Sequence, residues 1–301
     1  MPLSSPDPGA VPTIPGLGEI ADRFDVILCD VWGVLHDGVR AHTGASDALI
    51  RFRARPGGTR PRRVVLVSNA PRPWKGVQTI LDGYGVPREA YDAILTSGDL
   101  TRSLLAGTPG ARIHHLGPER DATIFHDLDI RLADADAAET VVCTGLFDDT
   151  RETAQDYRAV LEQWHARNVP MICANPDLVV ERAGLLIPCA GLIAEAYAAL
   201  GGSVTYAGKP YRPVYAAALD MAGGLDGLAA PEPQRVLAVG DALRTDIAGA
   251  RAFGLPNLLV ARGIHAEELG VSTEHATLGE VATWLAAQSV RPDAIIERLV
   301  W

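Results

Sequence analysis

The chain contains no run of 18 uninterrupted apolar residues, so no segment is expected to span a membrane. Its first twenty residues, MPLSSPDPGAVPTIPGLGEI, include neither a basic n-region nor an apolar h-region, and no signal peptide is expected. Cysteine is scarce. Cys29, Cys143, Cys173 and Cys189 form no C-x-x-C pair, and three of them sit in apolar runs. That pattern excludes a disulfide framework and points to reduced core thiols in a cytoplasmic protein. The histidines, His114–His115 among them, show no zinc spacing. Positive charge is also short: 27 Lys and Arg face 37 Asp and Glu, a net charge of −10. An acidic surface repels nucleic acid and anionic membrane, so neither is an expected partner. An anionic substrate would need a local cation, either a bound metal or a placed lysine.

What is present is an ordinary globular composition, 48% hydrophobic and 21% charged, over 301 residues. That length can bury one large core or two modest ones. Residues 1–13, rich in Pro, Ser and Gly, read as a loose arm, and a short helix is expected over 17–23. DVILCDVWGVL is an apolar run ending in an acid and a glycine, the mark of a buried parallel strand entering a loop. A helix is expected over 44–54 and a buried strand over 64–69, and the alternation continues through AILTS. The middle adds strand signals in ARIHHLG, TVVCTGL, VPMICAN and GLLIPCAG, with a helical pattern over 153–166. The last third returns to the first theme: SVTYAGK, a helix over 214–221, RVLAVGD, a helix over 245–253, and PNLLVARG. GGLDGLAAPEPQ at 223–234 reads as a solvated loop. Strand and helix alternating throughout, with no repeats, argue for an α/β fold with a parallel sheet.

Three strands end in polar groups: Asp30 after VILC, Ser68 and Asn69 in VVLVSN, and Asp241 after VLAVG. In an open parallel sheet the carboxyl ends of the strands line one crevice, where ligands bind. Two carboxylates meeting there repel, so Asp30 and Asp241 call for a cation, and Mg²⁺ suits such a sparse oxygen site. The Ser68 hydroxyl suits a phosphoryl oxygen, and Lys209 in AGKP supplies positive charge. Asp246, five residues past Asp241, suits Lys209 or a metal-bound water. Two nucleotide-site lookalikes fail. Gly16-Leu-Gly-Glu-Ile-Ala21 precedes the first strand instead of following it. Gly208–Lys209 is followed by Pro and lacks the glycine that a Walker A loop needs at position 203.

The ordered motifs D-x-x-G-V-L, S-N, G-K-P and G-D-x-x-x-T-D resemble the haloacid dehalogenase superfamily of aspartate-nucleophile hydrolases. ANPD at 174–177, PCAGL at 188–192 and YAGKPYRPVY narrow the likeness to its class IIA, NagD-like branch. The resemblance covers nearly everything from residue 17 onward. It implies a Rossmann-like parallel-sheet core, 1–98 and 196–301, with an α/β cap inserted at 99–195. It also implies a Mg²⁺-dependent phosphohydrolase acting on small phosphorylated metabolites, and it is compatible with a cap-mediated homodimer. Asp30 would be the nucleophile that forms an aspartyl-phosphate. Asp30, the Trp32 carbonyl and Asp241 would hold Mg²⁺, with Asp246 supporting them. Ser68, Asn69 and Lys209 would bind the phosphoryl group, and Asn175 and Asp177 would face it from a cap loop.

One position departs from the family pattern. Its phosphatases carry a second Asp two residues after the nucleophile, which protonates the leaving group and then activates water. Here that residue is Trp32, whose indole only donates. General acid–base catalysis contributes about 10²–10⁴-fold, so roughly 3–5 kcal/mol of barrier lowering is expected to be missing. Two readings follow: a phosphohydrolase with weakened acid–base chemistry, or a binding protein on a phosphatase scaffold that holds a phosphorylated ligand in a regulatory role. Trp32 itself is open between domain-interface packing and shaping of a leaving-group pocket. His36 and Asp37 could replace the acid, but read first as turn residues. Local readings compete elsewhere too: a helix cap at Ser68–Asn69, an Asx turn around Pro176, and helix caps at Asp148 and Asp149.

Overall fold

The computed structural model describes residues 11–56, 58, 60–182, 185–262 and 278–301. Its strands, in chain order, are β1 Val26–Cys29, β2 Arg63–Ser68, β3 Ala93–Thr96, β4 Arg112–Leu116, β5 Arg131–Leu132, β6 Thr140–Cys143 and β7 Met171–Cys173. They continue with β8 Val179–Arg182, β9 Leu185–Pro188, β10 Val204–Tyr206, β11 Val236–Gly240, β12 Asn257–Val260 and β13 Ala294–Ile296. The α-helices are α1 Thr43–Ala54, α2 Trp74–Gly83, α3 Ser97–Ala106, α4 Arg158–Ala166, α5 Ala190–Ala199, α6 Arg212–Asp226, α7 Ala248–Phe253 and α8 Leu278–Ala286. No described helix is long and apolar enough to cross a membrane.

One sheet has six strands in the order β13-β12-β11-β1-β2-β3. The pairs β1–β11, β1–β2, β11–β12 and β12–β13 are all parallel. Every residue of β1, β11 and β12 is buried, which is why VILC, VLAVG and NLLV read as unbroken apolar runs. A second sheet has the order β10-β7-β6-β4-β5, again parallel throughout. Its strand β6, TVVC, sends Val141 and Cys143 into one apolar cluster and Val142 into another. The expected α/β, Rossmann-like class is therefore the observed one.

The chain divides into two compact units. One comprises the chain up to Leu66, Val86–Ala93 and Leu219–Trp301; the other comprises Val67–Gly85 and Ile94–Ala218. In the first, Ile247, Leu259, Leu285 and Ile295 form a fully buried group, each side chain contributing about 1.5–3 kcal/mol relative to exposure. In the second, Trp164 and Tyr197 anchor the core. Each satisfies its polar end on backbone, the indole N–H donating to Ala135 O at 3.0 Å and the phenol to Val169 O at 2.6 Å.

Several local expectations change. Residues 1–10 lie outside the described residues, but Val11–Ile14 are no loose arm: Thr13 bridges Ile295, and Val11 packs into the first unit's core. The short helix is two 3₁₀ turns, Leu17–Glu19 and Ala21–Arg23. The stretch after 222 is not all loop, because α6 runs on to Asp226. Asp226 is 4% exposed at its side chain and meets the half-buried Arg63 at 2.6 Å. GLLIPCAG supplies one arm of an antiparallel hairpin, β8–β9, whose first strand the pattern did not reveal. SVTYAGK does not rejoin the first theme, since β10 pairs with β7 in the second sheet. The helix after residue 153 starts as a 3₁₀ turn capped by Thr153 in a capping box with Asp156, so Asp148 and Asp149 are not its caps. Asp148 instead accepts from Thr150, and Asp149 pairs with Arg120 and Arg182. All four cysteines are free and buried; burial pushes the Cys143 thiol up to about 12, well away from reactivity.

Candidate active site

The chemistry-bearing residues fall into two sets, one in each unit. In the first, Asp30 follows β1, and its N–H donates to Val239 O at 2.8 Å, extending the β1–β11 ladder by one residue. Asp241 follows β11. Asp246 lies on a π-helical turn, Leu243–Ile247, where a plain α-helical start was expected; α7 continues from it. Such widened turns often sit at functional sites. Each of the three carboxylates offers an oxygen that lies within 4.8 Å of the other two, and all three residues are buried. Three like charges held together away from water are costly unless a cation joins them.

Glycines allow this convergence. Gly33 has φ +80°, and a Cβ there would lie 1.9 Å from Asp241 Oδ2. A Cβ on Gly240 would lie 2.1 Å from the Asp246 carboxyl carbon. Asp246 is held from below by the Ala242 N–H, which donates to its Oδ2 at 3.1 Å. The donor set is all oxygen, compact and buried. It fits a small hard divalent cation and offers nothing to a soft one.

Trp32 packs within its own loop. Its ring meets His36 edge-on at 5.1 Å, and Gly38, at φ +84°, lies so close that a Cβ would come within 2.6 Å of the indole. His36 is buried, and burial drives its pKa down to about 4, partly opposed by Asp37. The imidazole is neutral near pH 7, with Nδ1 accepting the Gly38 N–H at 3.0 Å. Burial pushes the Asp37 carboxyl up, but N–H groups of Arg40 and Val39 outweigh it and hold the pKa below the ordinary value. Both residues are thus engaged as turn groups of the loop. A cavity of about 430 Å³ adjoins Gly33, lined in part by Arg40, Arg262 and Arg298. Arg40 is answered by Asp37 at 3.4 Å and Arg262 by Glu297 at 2.6 Å, so much of its positive charge is matched locally.

The second unit holds Ser68, Asn69, Asn175, Asp177 and Lys209. Ser68 Oγ accepts from the Ala70 N–H at 3.2 Å. The helix that follows, α2, takes Pro73 as its N-cap, so Ser68–Asn69 does not cap it. Asn175 makes the Asx turn, accepting the Asp177 N–H at 3.1 Å. Asn69 Nδ2 donates to Asp177 Oδ1 at 2.9 Å and to Lys209 O at 3.1 Å, while Asn69 Oδ1 accepts the Lys209 N–H at 2.8 Å. Lys209, Asn69 and Ser68 are all buried. Two participants escaped the sequence reading. Ser97, fully buried, donates its hydroxyl to Asn69 Oδ1 at 3.3 Å. Gly208 leaves room for both, since a Cβ there would lie 2.2 Å from Ser97 Oγ and 2.6 Å from Asn69 Oδ1. Serine after a strand end and glycine before lysine are too common to stand out without their partners.

Comparison with known proteins adds a second line. A profile described as haloacid dehalogenase-like hydrolase matches residues 27–131, and a related HAD-hydrolase-like profile matches 206–300. A crystal structure of a hydrolase of the haloacid dehalogenase-like family from Brucella suis is 42% identical. The match covers 95% of this chain and all of that one, with a TM-score of 0.82. The D-glycerol 3-phosphate phosphatase of Mycobacterium tuberculosis is 32% identical over 255 residues, which are 82% of this chain. The match spans 65% of the length of that curated relative. A structure of glycerol phosphate phosphatase from the same organism, in complex with magnesium, is 27% identical with a TM-score of 0.64, covering 92% of this chain and 76% of that one.

Proposed function

Since the chain belongs to the haloacid dehalogenase-like hydrolase family, in the class IIA branch that its motifs resemble, we propose that it is a Mg²⁺-dependent phosphohydrolase acting on small phosphorylated metabolites. The observation that carries this reading is the buried convergence of Asp30, Asp241 and Asp246. When bound there, Mg²⁺ would neutralise charge between the carboxylates and a phosphoryl oxygen. Asp30, Asp241 and the Trp32 carbonyl would hold it, and Asp246 would steady the set.

In the first step an Asp30 carboxylate oxygen attacks phosphorus, and the ester P–O bond breaks as the O–P bond to Asp30 forms. By the family pattern, Ser68 and Lys209 would balance the charge on the phosphoryl oxygens. The leaving alcohol takes its proton from solvent, because Trp32 has none to cycle. In the second step a water oxygen attacks phosphorus, the acyl-phosphate bond breaks, inorganic phosphate departs and Asp30 is regenerated. With no placed acid, esters of acidic alcohols are turned over best, and aryl phosphates outrun alkyl phosphates.

The expected cap, 99–195 now extended through β10, belongs to this reading. So do a homodimer formed through it and the cytoplasmic setting inferred from the free thiols. Turnover of p-nitrophenyl phosphate with Mg²⁺, compared with Asp30→Asn, is the test. Equal rates in the two proteins would sink the proposal. Trp32 keeps one alternative in play, a protein that binds a phosphorylated ligand and scarcely turns it over. Glycerol 3-phosphate and other small phosphate esters bound saturably in calorimetry, with no release of phosphate, would favour that alternative.

A further inference from the structure

Asn69 stands in the motif expected to bind the phosphoryl group, yet its side chain is fully committed inside the second unit. A carboxamide has two donor hydrogens and two acceptor lone pairs. Nδ2 gives one hydrogen to Asp177 Oδ1 at 2.9 Å and the other to Lys209 O at 3.1 Å. Oδ1 takes the Lys209 N–H at 2.8 Å and the Ser97 hydroxyl at 3.3 Å. The two bonds to Lys209 also settle which end of the amide is which, since one partner only donates and the other only accepts. Nothing remains for a phosphoryl oxygen.

We infer that Asn69 is a positioning residue: its side chain grips the Lys209 backbone on both sides of its Cα and ties that grip to the Asp177 carboxylate, and that side chain does not bind the phosphoryl group. Gripping N–H and C=O of one residue fixes both flanking peptides, so only the lysine side-chain torsions remain to place the ammonium. Gly208 permits the close approach, and Ser97 braces the amide from α3. Asp177 sits on the turn made by Asn175, so the ANPD and GKP segments are joined through one buried amide. The sequence separation is large, 108 residues from Asn69 to Asp177 and 140 to Lys209, which is why neither motif reveals the other. The inference rests on the phosphatase reading for the role of Lys209, but the grip itself does not.

The test is a polarity swap. Asn69→Asp removes both donated bonds and sets two carboxylates against each other. Combining it with Asp177→Asn restores a bond of reversed direction, from the amide introduced at 177 to the carboxylate introduced at 69. With p-nitrophenyl phosphate and Mg²⁺, Asn69→Asp is expected to lower kcat about 10²-fold, the usual scale for a small misplacement, with little change in KM. The double variant is expected to recover at least about tenfold of that loss. A double variant no better than Asn69→Asp alone overturns the inference, as does a loss confined to KM. If Asn69→Asp alone does not fold, a folded and active double variant is the same rescue. Asp177→Ala, which cuts the bond from the other side, must then show the same fall in kcat. If the wild-type protein turns over nothing, the phosphatase reading fails, and amide exchange still decides the grip. The Lys209 N–H should exchange at least about tenfold faster in Asn69→Ala, with β11 amides unchanged, and unaltered protection refutes it.

Discussion

The two units hold their polar groups together by opposite means. The carboxylates of the first unit are like charges, and what brings them close is backbone: strand ends, a π-helical turn and two glycines whose missing Cβ atoms leave room. The polar groups of the second unit attract one another, and a single carboxamide satisfies four of them. A repulsive cluster is kept by steric design and, on the proposed reading, would be completed by a cation from outside. An attractive cluster completes itself. The first should therefore be intolerant of added volume and responsive to metal, and the second intolerant of altered hydrogen-bond polarity and indifferent to metal.

The sharpest break of this contrast is Gly33→Ala. The new methyl would overlap Asp241 at a backbone angle that side chains resist. The expected outcome is a fall of about 10³-fold in Mg²⁺-dependent phosphatase turnover, from displaced ligands and lost charge stabilisation together. Retention of more than about a tenth of the activity would show that the cluster tolerates what the geometry forbids.

Trp32→Asp tests the missing acid. Alkyl phosphate turnover should rise by about 10²-fold, the lower end of what a placed acid–base contributes, with a smaller gain on p-nitrophenyl phosphate. An unchanged rate would place the limit elsewhere.

Metal linkage separates the two sets directly. At one hundred times its Kd, Mg²⁺ should stabilise the wild-type protein by about 2.7 kcal/mol in denaturant unfolding. Asp241→Asn should abolish that gain, whereas Asn69→Ala should leave it. A gain that survives in Asp241→Asn would place the ion away from the carboxylates.

The smallest expected effect is a pH dependence that can be read within the second unit. His115 lies against Phe125 and pairs with Thr144 Oγ1 at 2.8 Å. Burial, with His114 adding to it, lowers its pKa from 6.5 to about 4. Between those values the unfolded chain binds the proton and the folded chain does not. Its contribution to stability is therefore complete above pH 6.5 and declines as the pH falls toward 4. His115→Gln should flatten that limb of the stability curve, read by exchange of β4 and β6 amides.

Much of the site was legible because parallel strands announce themselves. VILC, VVLV and VLAVG are buried on both faces, so they are apolar throughout, and the polar residue that ends each run stands out. Asp30 and Asp241 could be located, and Asp246 followed by spacing. The loop around Trp32 was legible as an anomaly but not in its packing, since nothing local marks Gly38 as the floor beneath an indole. The Asx turn at Asn175 was legible as the competing local reading, because that bond spans only two residues. The side-chain bond of its neighbour Asp177 was not, because the partner is Asn69.

By itself the sequence determined the strand runs, their order and the chemical types at their ends, since burial on both faces and the 2.0 and 3.6 periodicities are local properties of the chain. The tertiary structure alone decided which sheet β10 joins, which glycines make room for a carboxylate, and that Asn69 spends all four of its hydrogen-bonding positions on distant partners. Those outcomes depend on contacts between residues far apart in the chain, from 28 positions for Ser97 and Asn69 to 140 for Asn69 and Lys209, and on the space a missing Cβ leaves. Neither leaves a periodic trace in one chain.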